Sequence, residues 1–71
     1  MSSVTVTVNG EARELAGEAT VADLVADLGH DPQRPGIAVA LDGEVVPRSA
    51  WRDRVLADGA AVEVVGAAQG G

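Results

Sequence analysis

The sequence predicts an α+β fold: a mixed sheet of four or five strands packed on one helix. Three observations lead there. Alternating apolar and polar runs occur near both ends and in the middle of the chain, and that period of two belongs to half-buried strands. Only one stretch, Val21 to Leu28, carries an apolar stripe at helical spacing. Asn9-Gly10, Asp42-Gly43 and Asp58-Gly59 punctuate the runs with residues that tolerate positive φ. A lone helix covers one face of such a sheet and no more.

The first run, Val4-Thr5-Val6-Thr7-Val8, is a strand, and Asn9-Gly10 turns it into a hairpin. Its return, "EARELA", is expected to face the core with Ala12 and Leu15 and to end at Gly17. Thr20 is placed as a helix N-cap, with Asp23 three residues on to close a capping box. Val21, Leu24, Val25 and Leu28 share one face, while Asp23 and Asp27 point to solvent. Gly29 is suited to a left-handed C-terminal stop, and "HDPQRPG" with its two prolines is a loop. Ile37, Val39 and Leu41 alternate with alanines in a third strand. Glu44-Val45-Val46 is a short edge strand that Pro47 stops. "RSAWRDR" is expected to form a helical turn capped by Ser49. Val62 to Val65 is the last strand, most economically placed beside the first, parallel and central. Residues 1–66 then form one domain, and 67–71 a flexible tail.

Seventy-one residues allow a single small domain. There is no cysteine, so packing of Val, Leu and Ala must supply the stability, with Trp51 the sole aromatic. Eleven acidic residues face five arginines, a net charge of −6, which argues against binding nucleic acid. It suits a partner with a positive face. Lysine is absent, so no side-chain amine is available for Schiff-base or isopeptide chemistry. No apolar run approaches the length of a membrane span, and "MSSVTVTVNG" lacks the pattern of a secretory signal. The expected location is the cytoplasm, with no membrane partner.

No set of side chains converges for catalysis. His30 is the only histidine and is read as a loop residue, and no metal site is expected. Asp23, Asp27 and Asp31 are read as a solvated face, and the Asn9-Gly10 and Asp58-Gly59 pairs as turns alone. Chemistry points instead to the last residues, Gly66-Ala67-Ala68-Gln69-Gly70-Gly71. A glycine pair has no Cβ, threads a narrow channel and leaves the α-carboxylate open to attack. From Gly66 the tail reaches about 20 Å when extended. With little to pack, it is expected to be mobile. A carboxylate is inert toward nucleophiles, but an acyl adenylate made with ATP carries a good leaving group. A sulfur nucleophile then displaces AMP to give a thiocarboxylate.

The stretches "VTVTVNGEARELAGEATVADLVADLG", "IAVALDGEVVPRSAW" and "LADGAAVEVVGAAQGG" resemble the ThiS family of ubiquitin-like β-grasp sulfur carriers over nearly the whole chain. The resemblance implies a carrier that is not itself an enzyme and binds no cofactor of its own. A ThiF-like enzyme would use ATP to adenylate Gly71, a sulfur-donating system would convert it to a thiocarboxylate, and a ThiG-like synthase would place that sulfur in the thiazole of thiamin. Gly70, Gln69, Ala68, Ala67 and Gly66 would thread into the partner sites. Ala67, Ala68 and Gln69 are smaller than the apolar residues such carriers often hold there, so a weaker grip is expected. Val65, Arg48 and Trp51 are the candidate docking residues. Against that role, Trp51 is read as a core plug and Arg48 as a solvated side chain or a partner of Asp53. A carrier for molybdopterin or another pathway, a ubiquitin-like modifier of other proteins, and a plain binding module are the competing readings.

Overall fold

The computed structural model describes residues 2–66; the tail residues Ala67 to Gly71 lie outside that range. Five strands and one α-helix follow in the order β1 Ser3–Val8, β2 Glu11–Ala16, α1 Val21–Asp27, β3 Ile37–Leu41, β4 Glu44–Val45 and β5 Ala61–Gly66. The sheet order is β2-β1-β5-β3-β4. β5 runs parallel to β1 and antiparallel to β3, so the last strand is central.

Side-chain alternation sets the two faces. Val6, Val8, Val39, Leu41 and Val62 point to the helix side and are buried, and Val4, Ile37 and Val64 pack against them. Antiparallel pairing places directly opposed residues on one face. Val4 opposes Leu15, and Val6 opposes Arg13, so β2 turns its odd-numbered residues inward. Ala12 therefore opposes Thr7 on the outer face and is exposed, against the expectation that it joins the core. Ala12 and Leu15 have opposite parity, and no bulge is present in the register to reconcile them.

Helix α1 is short and owes its stability to packing rather than propensity. Val21, Leu24 and Val25 are fully buried on the sheet, each contributing about 1.5–3 kcal/mol of burial. The capping box is complete: Thr20 Oγ1 accepts from Asp23 N at 3.2 Å, and Asp23 Oδ2 accepts from Thr20 N at 2.9 Å. Asp27 sits on the outer side and pairs with Arg13 at 2.9 Å. Trp51, Leu56, Val46, Ala19 and Ala60 close the core at the margins of the helix. β4 ends at Val45, one residue early, although the buried Val46 keeps the register and its N–H donates to Val39 O at 2.8 Å. The following turn is a 3-10 helix, Arg48–Ala50, with Pro47 at its N-cap position and no side-chain cap. Ser49 lies inside it and does not cap it.

The turn residues do more than turn. Asn9 and Asp42 adopt positive φ, 52° and 50°, ahead of Gly10 and Gly43. Asp42 Oδ1 also accepts from Ala61 N at 2.9 Å, and Asp58 Oδ1 from Thr5 N at 2.8 Å. Asn9 bonds Val64 twice: Oδ1 accepts from its N–H at 2.9 Å and Nδ2 donates to its carbonyl at 3.2 Å. Paired strand positions between β1 and β5 end at Val8 and Val62. The Asn9 amide thus acts as a further rung of the ladder beside the end of β5.

Candidate functional site: the exit of the central strand

β5 delivers the chain to one end of the sheet. Its last residue, Gly66, pairs with Ile37 at the start of β3. Three segments surround this exit. Asn9 holds Val64 on the β1 side. The loop between α1 and β3 curves past it, and Gly29, His30, Arg34, Gly36, Ile37 and Gly66 are among the residues around a groove of about 600 Å³. Gly36 takes φ +99° where that loop enters β3, a conformation that glycine adopts without strain. Asp31 shapes the loop from within, accepting from Gln33 N at 2.9 Å on its side chain and from Arg34 N at 3.0 Å on its carbonyl.

The third segment carries Arg48. Its guanidinium donates to the carbonyl oxygens of Pro32 and Ile37, the latter at 3.3 Å. The same group lies 4.4 Å from the centroid of the Trp51 ring, within the range of a cation–π contact. Arg48 is thus engaged by the loop and by Trp51, not by Asp53. Trp51 itself is 2% exposed, and its Nε1 donates to Val46 O at 3.0 Å. The ring serves the core and presents no face to a docking partner.

Val65 is placed differently. Val62 and Val64 face the core, so Val65 lies on the open face, 60% exposed. It opposes Ala38, and Val45, 76% exposed, opposes Ala40 on the same face. The open side of the sheet next to the exit is uncovered by the helix and carries Val65, Ala38, Ala40 and Val45 together with the exposed Glu63. His30 is exposed in the loop, and among the described residues no group of three His, Cys, Asp or Glu gathers to hold a metal. No helix of the described residues is long and apolar enough to cross a membrane. The expected reactive residues, Gly71 and Gly70, and the threading residues Gln69, Ala68 and Ala67 lie outside the described range. The two hydrogen bonds from Asn9 to Val64 and the contacts of Arg48 with the Pro32 and Ile37 carbonyls are not anticipated by pattern reading. For Asn9 a signal existed, because asparagine, unlike aspartate, offers the donor as well as the acceptor that one peptide unit requires.

A five-stranded mixed sheet with one helix against one face and a parallel pair at its centre is the ubiquitin-like β-grasp. The ThiS family model matches residues 6–71, and the chain belongs to the ThiS family. A crystal structure of the thiamine biosynthesis protein ThiS from Geobacter metallireducens is similar, with 33% identity and a TM-score of 0.72, covering 87% of this chain and 91% of that one. No curated protein matches.

Proposed function

We propose that this chain is a sulfur carrier for thiamin biosynthesis and that the carboxylate of Gly71 is its reactive group. The observation that carries the reading is the ThiS family match, which runs through residue 71. The fold supports it. The folded body ends in a central strand whose exit is flanked by an open face with exposed Val65 and Val45, so docking and delivery of the tail are separate tasks.

In the proposed cycle a Gly71 carboxylate oxygen attacks the α-phosphorus of ATP on a ThiF-like enzyme, and pyrophosphate leaves. Sulfide released by a donating system attacks the acyl carbon of that adenylate and forms the carbon–sulfur bond. AMP departs with the carbon–oxygen bonding pair, leaving the thiocarboxylate. A ThiG-like synthase then takes the sulfur into the thiazole. The chain contributes no acid, base or nucleophilic side chain and works as a co-substrate. Gly66 to Gly70 occupy the channel leading to the partner's active site, and Val65 contributes to docking through the open face. The thiamin assignment over another sulfur-using pathway rests on the family and on the similar ThiS structure.

Intact-mass measurement tests the chemistry. After incubation with ATP, the activating enzyme and a sulfur source, the chain should gain the mass difference of sulfur for oxygen. Deletion of Gly71 should abolish the gain. An unchanged mass for the full chain would refute the carrier reading, and higher-mass adducts on other proteins would favour a modifier instead.

A further inference from the structure

Arg48 lies outside the groove at the strand exit but bonds the carbonyl of Ile37, the residue paired with Gly66. We propose that Arg48 is a positioning residue for tail presentation: it braces the loop before β3 so that the exit at Gly66 is preformed when a partner docks. The inference rests on the carrier reading above.

Three observations converge on it. The Arg48 guanidinium donates to two carbonyls, Pro32 midway along the loop and Ile37 at the first position of β3. Ile37 is the residue paired with Gly66, so Arg48 reaches the exit through a single strand position. The base of the brace is fixed as well, since the guanidinium stacks on Trp51 and Trp51 is buried with its Nε1 bonded to Val46 O. The loop has little else of its own. Asp31 organises its first turn, but Gln33, Arg34 and Pro35 are exposed. Released from Arg48, this segment would fluctuate, and any partner gripping the exit would have to order it on binding. That ordering cost appears as weaker docking, not as slower chemistry, because Arg48 touches no reacting atom.

Arginine is required by the geometry. Its planar fork reaches two carbonyls while its face lies on the indole. A lysine ammonium can satisfy one of these contacts from the same stem, but not both carbonyls and the stacking together. Pro47 sits at the N-cap position of the 3-10 helix that carries Arg48.

The test uses the full chain and the adenylating enzyme. Arg48→Lys, which keeps charge and stem, should raise the carrier's KM for ATP-dependent activation by about an order of magnitude, the scale of one lost charge-assisted hydrogen bond, with kcat unchanged. Backbone amides at residues 36 and 37 should exchange faster with solvent in the free variant. Leu24→Val, a helix-core substitution that also lowers stability, should leave KM and those amides unchanged while the protein remains folded. An unaltered KM in Arg48→Lys, or an equal rise in Leu24→Val, would overturn the assignment. If the wild-type chain is not activated at all, the carrier reading fails, whereas unchanged amide exchange in Arg48→Lys would sink the brace by itself.

Discussion

Replacing Asn9 offers the sharpest test of how the central strand is anchored at its exit. The side chain accepts from Val64 N at 2.9 Å and donates to Val64 O at 3.2 Å. Each such bond is worth about 0.5–1.5 kcal/mol net, so the pair contributes about 1–3 kcal/mol, toward the lower end because Asn9 is exposed. Backbone conformation adds a second effect. Asn9 sits at φ 52°, where alanine carries a penalty of about 1–2 kcal/mol and glycine carries none. Asn9→Gly therefore removes mainly the clamp and should cost about 1–2 kcal/mol, while Asn9→Ala should cost about 1 kcal/mol more. For a domain of this size 1 kcal/mol moves Tm by about 4–8 °C, so Asn9→Gly should melt roughly 5–15 °C lower. Asn9→Asp keeps the acceptor but loses the donor and should fall between wild type and glycine. Thermal melts followed by circular dichroism give the ranking, and hydrogen exchange at Val64 gives the location. A glycine variant with wild-type Tm and wild-type protection at Val64 would refute the claim that the amide serves as a ladder rung.

Three further outcomes follow from particular contacts. Trp51→Phe removes the donor to Val46 O and leaves a void in the core, so it should lower stability by about 2–3 kcal/mol in urea unfolding. Glu18 is exposed at φ 70°, and Glu18→Gly should raise Tm slightly, by the equivalent of about 0.5 kcal/mol once the greater freedom of the unfolded glycine is subtracted. Val65→Asp should leave Tm within about 4 °C of wild type, as surface changes usually do, yet weaken association with the activating enzyme by tenfold or more in calorimetry. Unchanged affinity would remove Val65 from the docking face.

The sheet, the helix and the central parallel strand were legible because each rests on a local pattern strong enough to survive packing. Thr20 and Asp23 form their capping box from a spacing visible in the chain, and Val21, Leu24 and Val25 are buried as the helical stripe requires. The exposure of Val65 follows from the same alternation once Val64 turns inward. Ala12 was misplaced because alanine is small enough for either face, so its side is decided by the register with β1 and not by its own hydropathy. Ser49 was misread for a related reason: a cap depends on where the turn begins, and Pro47 begins it. Arg48 and Asn9 were undervalued because their partners are backbone groups distant in sequence. A carbonyl at residue 32 or 37, or a peptide unit at residue 64, leaves no mark in a hydropathy pattern. The proposed reactive end rests on the glycine pair and the family alone, since residues 67 to 71 fall outside the described structure.

The position of β5 bears on why a carrier would be built this way. A chain end attached to an edge strand can peel away by breaking one ladder. β5 is bonded to β1 on one side and to β3 on the other, with Asn9 extending the first and Ile37 closing the second at Gly66. Opening it back to Val62 requires the loss of both ladders and of Val62 from the core, whereas Val65 and Gly66 are paired on the β3 side alone. The strand is therefore anchored on both sides as far as Val64, and the open face at Val65 lies a single residue step from the exit at Gly66. On the proposed reading, a partner that grips the open face must place its reactive pocket within the reach of the remaining five residues, about 18 Å at full extension. Unrelated enzymes of one pathway can then share one carrier by meeting the same two conditions, a landing site for the open face of the sheet and a channel of matching length.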